Sequence, residues 1–437
     1  MARGLTPSVA VVGAGYAGMA AAVELAARGI PVTVFEASRT LGGRARGVDL
    51  DGMAVDNGQH ILVGAYRETL RLMARVGADP AVRLKHLPLL LELPGRLRIA
   101  APDWPAPFHL AAALFGAHGL TLVEKLAAVR FMLGLKLSRW RVGDALSVAE
   151  LIAAQPGTLR RYLWEPLCIA TLNTPPGEAS AQVFANVLRD TLGAGRRDAD
   201  LLLPAVDLSQ LFPEPAAAFV ASHGGRVVRG TRIAALRAEA GWRLQSEDAD
   251  HGPYTQMILA TAPRHAHALL APHAGAAPVC ALLAALRFEP IVTAWMQYPP
   301  QVQLPAPMIG SGDGLLQWLF DRGQLDGPAG LLAAVISAEG RHMALDHDTL
   351  IQRLHDEAAR LVPGLPAPIR AKVVAERRAT FACVPGMHRP AMLTPLPGLL
   401  LAGDYVAGDY PATLEGAVRA GVAAARHVVE SLEPNGR

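Results

Sequence analysis

Val9-Ala10-Val11-Val12 runs directly into Gly13-Ala14-Gly15-Tyr16-Ala17-Gly18, and Met19 to Ala26 is apolar but for Glu24. A buried parallel strand, a glycine turn and a helix follow from this pattern, and they commit the amino terminus to an α/β fold with a Rossmann-like parallel sheet. Each glycine has a physical task. Gly13 permits the tight turn, Gly15 lets main-chain N–H groups approach a pyrophosphate, and Gly18 lets the helix lie close to the strand. Tyr16 and Ala17, at the start of the helix, share that phosphate contact through the positive end of its dipole. A second strand, Pro31 to Phe35, ends at Glu36 about twenty residues after the glycines, where a carboxylate accepts from ribose hydroxyls with Ala37 alongside. An acid here, rather than an arginine, suits an adenosine without a 2′-phosphate.

Further signals recur along the chain in a fixed order. Leu41-Gly42-Gly43-Arg44 follows the ribose acid and sets a cation to reach the same pyrophosphate from the other side. Gly224-Gly225-Arg226-Val227-Val228 and Gln256 to Pro263 read as strands, the second ending in Ala260-Thr261-Ala262-Pro263. Leu399-Leu400-Leu401-Ala402-Gly403-Asp404 is a buried strand ending in Gly-Asp, and Tyr410-Pro411-Ala412-Thr413-Leu414-Glu415-Gly416 opens a helix reaching about Glu430, with Thr413 as its N-cap. These segments resemble the flavin amine oxidase and carotenoid desaturase superfamily. The resemblance implies bound FAD and several roles. Val228 would meet the adenine and Thr261 would lie beneath the cofactor. Gly403 and Asp404 would hold its ribityl or phosphate-linked atoms. Thr413, Leu414 and Glu415 would point a helix start at the pyrimidine. Asp56-Asn57-Gly58-Gln59-His60 would bring Gly58, Gln59 and His60 to the flavin.

At 437 residues the chain exceeds the usual single domain. Residues 7–78, 208–272 and 396–434 are expected to form the FAD-binding domain. Residues 79–207 and 273–395 are expected to form a substrate domain of mixed β-sheet and helices. The first insertion reads as mostly helical, with Leu122, Leu126, Val129, Leu133 and Leu137 recurring at helical spacing. Its apolar face is either core or a monotopic docking element, because Trp104, Phe108 and Phe115 add grease beside Lys125, Lys136 and Arg139. The second reads as strands over 287–298, 315–320, 331–337 and 369–381, with a helix over 346–361.

Composition narrows the classes. Hydrophobic residues make up 51% and charged ones 18%, and a net charge of +3 gives no basis for nucleic-acid binding. Three scattered cysteines, Cys168, Cys280 and Cys383, point to a reducing compartment and no metal. Neither a signal peptide nor a transmembrane run is read, although a mean hydropathy of +0.25 suggests that something apolar docks on the surface. A cytoplasmic protein, peripheral at the membrane face, is the expectation.

Only four lysines occur, and aromatic residues are 5%, a poor supply for a cage around a cationic amine. An uncharged, apolar substrate fits better. The strings Asp56 to Tyr66, Leu163-Trp164-Glu165-Pro166-Leu167-Cys168, Leu172-Asn173-Thr174-Pro175 and Arg377-Arg378-Ala379-Thr380-Phe381 look like the squalene-associated FAD enzymes of bacterial hopanoid synthesis, the hydroxysqualene dehydroxylase family. That resemblance covers essentially the whole chain. It implies reduction of hydroxysqualene to squalene, with NADPH or another donor reducing the flavin, and it raises association with squalene-pathway synthases. A polyprene desaturase and a non-enzymatic prenyl-binding escort are the alternatives. Loss of a hydroxyl calls for a proton donor in a dry pocket. His60 is a candidate acid or substrate ligand, against a packed residue bonded to backbone. Glu165 is a second, against a helix-end carboxylate satisfied by Arg160 or Arg161, and Asp409 a third. Asn173 and Thr174 orient the hydroxyl or merely form a turn before Pro175.

Overall fold

The structure, a computed structural model, describes residues 6–432, so residues 433 and 434 of the expected cofactor domain lie outside the described residues. Five short strands form one parallel sheet in the spatial order Arg226–Val228, Val32–Phe35, Val9–Val12, Gln256–Leu259 and Leu399–Leu401. The register aligns Val12 with Phe35 and Leu259, and Leu259 with Leu401. Segments distant in sequence therefore leave the sheet along one edge: the glycine turn, Glu36, Ala260 to Pro263, and Gly403-Asp404. In an open α/β sheet this carboxyl edge is where ligands bind.

Glycines set the packing behind that edge. Gly13 has φ +105°, and a Cβ on Gly18 would stand 1.9 Å from the Gly13 carbonyl oxygen, so the helix Tyr16–Ala26 lies against its strand only because neither carries a side chain. The last helix, Leu414–Leu432, crosses the first just as closely, with Gly421 against the Ala17 carbonyl.

A second sheet roofs the carboxyl edge, in the order Met308–Gly310, Trp318–Asp321, Leu331–Ser337, Phe288–Gln297 and Arg370–Phe381. Four of its strands and the helix His347–Leu361 fall where the sequence pattern puts them. Every pairing is antiparallel, however, so the sheet itself is not mixed. Alternation sorts its side chains. Val292, Ala294 and Met296 pack with Leu350, Leu354 and Ala358 of the covering helix, while Ile291 and Trp295 face the opposite way among Phe320 and Val335.

The first insertion differs from the helical expectation at its start. Leu84–Leu87, Leu90–Leu93 and Leu97–Ala100 are strands, and Leu84–Leu87 pairs with Leu201–Pro204, which also pairs with Leu62–Val63. The leucine-rich run around Pro88 reads as undirected grease, yet Leu97–Ala100 alternates buried and exposed as a half-buried strand must. Helices Phe108–Phe115 and Leu122–Leu137 then close the side of the molecule.

Candidate active site

The carboxyl edge, the roof and the two side helices enclose one chamber of about 1660 Å³. That exceeds the roughly 300–1,000 Å³ of an ordinary small-molecule site, so it accommodates two ligands. One end is built from backbone. Gly15 pairs with Gly42, the Gly42 N–H donates to the Ala14 carbonyl at 3.0 Å, and a Cβ on Gly43 would come within 3.3 Å of the Gly15 Cα. The helix beginning at Tyr16 has no side-chain cap, which leaves its first N–H groups for a ligand.

Arg44 stands beside this cleft, and its Nη2 donates to the Asp404 carboxylate at 2.6 Å while Nη1 donates to the Ala379 carbonyl at 2.8 Å. Burial disfavours its charge, but Asp404 outweighs that and holds the guanidinium above its ordinary pKa. Glu36 is fixed by the N–H groups of Ala14 at 2.7 Å and Ser38 at 2.8 Å. The Thr261 and Tyr405 hydroxyls line the chamber, buried and with no protein partner among the described residues. A bare glycine cleft, an uncapped helix, a fixed cation and two orphaned hydroxyls along one wall suit an extended, anionic, hydroxyl-rich cofactor. FAD matches that description.

The structure brings together most residues expected at the cofactor: Gly13, Gly15, Tyr16, Ala17, Glu36, Ala37, Gly43, Arg44, Gly58, Gln59, His60, Thr261, Gly403, Asp404, Thr413 and Leu414 all line the chamber. Thr413 Oγ1 accepts the Gly416 N–H at 3.0 Å, as an N-cap should. Gly18 stays behind the turn as a packing residue. Two expected contacts are corrected. Val228 is not in the wall, because its carbonyl is spent on the Glu36 N–H at 2.9 Å, and Thr231 and Arg232 line that end instead. Glu415 does not line the chamber beside Thr413 and Leu414; its carboxylate is fully buried, where it accepts from the N–H groups of Glu68 and Thr69, the Thr69 hydroxyl and Arg419 Nε.

The expected proton donors separate. His60 lies in the chamber with Nδ1 2.8 Å from the Gly58 carbonyl oxygen. A carbonyl only accepts, so Nδ1 carries the hydrogen and Nε2 the lone pair. Burial lowers the pKa of His60, the Gly58 bond opposes that, and Arg44 adds to the lowering, so the ring is an acceptor at Nε2. Glu165 is excluded from the chamber. It lies in a separate shallow hollow with Thr158, Arg161 and Tyr162, while Leu163, Trp164 and Leu167 of the same turns face inward. Asp409 is an exposed loop acid 3.9 Å from Arg189 and lines nothing. Asn173 and Thr174 are also spent on structure. Asn173 donates to Thr380 and Pro290 and accepts from Ala338, while the Thr174 hydroxyl donates to Leu172 and accepts from Cys383.

Two groups escaped the sequence reading. Arg389 donates to the carbonyls of Asp404 at 3.2 Å and Tyr410 at 3.0 Å, and to that of Gly408, fixing the loop after Gly-Asp. The Tyr410 hydroxyl donates to Asp190 at 2.8 Å. Neither partnership has a local signal, since the partners lie from 15 to 220 residues apart.

Much of the remaining wall is apolar, formed by Leu91, Leu110, Met132, Leu163, Ile291 and Phe320 among others. An α/β protein with a dinucleotide cleft opening into an oily chamber is an FAD-dependent oxidoreductase. The chain belongs to the flavin containing amine oxidoreductase family, whose model matches residues 16–429. It is 31% identical over 443 residues to a hydroxysqualene dehydroxylase of Rhodopseudomonas palustris, covering 96% of this chain and 98% of that one. It is 30% identical over 435 residues to a hydroxysqualene dehydroxylase of Sinorhizobium fredii, covering 96% and 97%. Among solved structures, an oxidoreductase from Methanosarcina mazei superposes with a TM-score of 0.75 at 14% identity, over 96% of this chain and 100% of that one, which speaks to the fold alone.

Proposed function

We propose that this protein reduces hydroxysqualene to squalene. The observation that carries this reading is the single chamber, polar and glycine-lined at one end and hydrocarbon-lined at the other, large enough for a dinucleotide and a long isoprenoid together. Bound and fully reduced as FADH2, the cofactor would supply both the hydride for the allylic carbon and the proton with which the hydroxyl leaves as water, returning to FAD. Gly13, Gly15, Tyr16, Ala17, Glu36, Arg44 and Asp404 hold the cofactor's phosphate and ribose side, with Thr231 and Arg232 at its adenine end. Gly58, Gln59, Thr413 and Leu414 border the flavin side. The roof residues Ile291, Trp318 and Phe320 exclude water. His60 keeps its hydrogen on Nδ1, bonded to the Gly58 carbonyl, and serves as an acid only after taking up a proton.

The same reading places substrate entry at a membrane surface. Leu122, Val123, Leu126 and Leu137 are 52–84% exposed on a helix whose Ala128, Val129 and Met132 line the chamber. Lys125, Arg130 and Lys136 stand among them, which suits an anionic bilayer. No helix of the described residues is long and apolar enough to cross a membrane, so peripheral docking is the mode proposed.

Anaerobic incubation of the holoprotein with hydroxysqualene and NADPH, then with chemically reduced flavin, tests the assignment. Squalene as the product supports it and separates the donor from the chemistry. A more unsaturated polyprene made from a saturated precursor would support the desaturase alternative, and a purified protein without flavin absorbance the escort.

A further inference from the structure

His109 opens the side helix Phe108–Phe115, and it and Ala113, one turn on, are that helix's buried residues. Both line the chamber. The His109 side chain is 1% exposed, yet neither ring nitrogen has a hydrogen-bond partner among the described residues. Native proteins pair almost all buried polar atoms because an unpaired one forfeits its hydration for nothing, so an orphaned imidazole on a ligand chamber calls for a partner.

The neighbouring charges do not supply it. Arg196 Nη1 is bound to Asp200 Oδ1 at 2.6 Å and its Nη2 to Asp103 at 3.2 Å, and the atoms left over, Arg196 Nε and Asp200 Oδ2, have no hydrogen-bond partner among the described residues, so neither is engaged with the ring. Leu91, Ile99, Leu110, Ala113 and Leu114, on the same helix and on strands of the first insertion, line the chamber with hydrocarbon. A neutral imidazole carries one N–H and one lone pair, the same pair of functions that a hydroxyl carries. The charges acting on the ring, Arg196 and Asp200, are paired with each other, so an amine or a carboxylate would meet a compensated pair, and a plain hydrocarbon would leave both nitrogens unpaired.

We propose that His109 is the specificity-determining residue that binds the hydroxyl of the substrate, so that the chamber tells the alcohol from the hydrocarbon it becomes. This rests on the dehydroxylase reading and adds to it a contact that His60, at the glycine end beside Arg44, does not provide. Binding is read without turnover by titrating the oxidised holoprotein with hydroxysqualene and with squalene and following the visible absorbance of the flavin. The wild type prefers the alcohol by about tenfold or more, the worth of one hydrogen bond whose loss also strands a buried partner. His109→Phe weakens the alcohol alone and brings the two ligands within about twofold, whereas His109→Gln, which keeps a donor and an acceptor, retains a preference. If the phenylalanine variant does not hold flavin, His109→Ala against His109→Gln makes the same comparison. The anchor is overturned if the apolar variant keeps the wild-type preference or weakens both ligands equally. A wild type that binds both ligands equally overturns the anchor alone; one that binds neither and forms no squalene overturns the dehydroxylase reading along with it.

Discussion

The Glu415 carboxylate is fully buried and holds the last helix against the segment beginning at Glu68. Oε1 accepts the Glu68 N–H at 3.1 Å and Arg419 Nε at 2.7 Å; Oε2 accepts the Thr69 N–H at 3.0 Å and the Thr69 hydroxyl at 2.7 Å. Glu415→Gln keeps the shape but turns one acceptor into an NH2 group that faces two donors. The Thr69 hydroxyl can rotate to accept, so between one and two buried donors lose their partner. At roughly 1–3 kcal/mol for each buried group left unpaired, the loss is about 3 kcal/mol. An unfolding entropy of roughly 2.1 cal/mol/K per residue over 437 residues converts this to a fall of about 3 °C in Tm. Differential scanning calorimetry of apo and holo protein measures it. Because Glu415 does not line the chamber, FAD affinity changes less than about threefold, under 1 kcal/mol. An unchanged Tm with FAD affinity reduced tenfold or more would refute the reasoning, since Glu415 would then be a cofactor ligand and not a latch.

Arg44→Met strands the buried Asp404 carboxylate and removes a guanidinium fork beside the glycine cleft, so FAD affinity measured by fluorescence falls by about a hundredfold, with Arg44→Lys intermediate. Burial pushes the Asp56 carboxyl up to about 7, although the Leu208 N–H bond and nearby Arg322 oppose it. In the unfolded chain an Asp titrates near 3.9, so between about pH 4 and 7 the folded state keeps a proton that the unfolded state has lost. Wild-type stability therefore falls as pH rises through that window, by up to about 4 kcal/mol, and levels off above it. Urea unfolding of Asp56→Asn lacks this fall; parallel pH curves for the two proteins would contradict it. Replacing Leu122, Val123, Leu126 and Leu137 together with Ser lowers co-sedimentation with anionic vesicles by at least about tenfold while leaving flavin content intact. Undiminished vesicle binding would remove the docking proposal.

The cofactor half of the fold was legible because its determinants are local. Val9 to Gly18 spells strand, turn and helix within ten residues, and the roof strands announce themselves by β-branched or alternating runs. The convergence of Gly15, Arg44 and Asp404 was also readable, since strand ends in a parallel sheet share an edge. What failed was side-chain direction. Glu165 is a candidate proton donor by residue type, but Leu163, Trp164 and Leu167 occupy the inward face of its turns, which puts Glu165 outside. Asp409 follows a strand by too many loop residues for its direction to be fixed locally. Glu415 and Val228 are consumed by partners far along the chain, and only tertiary structure reveals that a group is already engaged. His109 carries no local signal; its isolation becomes meaningful only with both nitrogens unpaired among the described residues.

In the proposed reaction reducing equivalents pass from bound flavin to an isoprenoid alcohol. Stopped-flow mixing of the fully reduced, oxygen-free holoprotein with hydroxysqualene measures that passage directly. The oxidised flavin band is expected to return in a single phase, with one squalene formed per flavin reoxidised. Flavin that stays reduced while hydroxysqualene is recovered unchanged would contradict it.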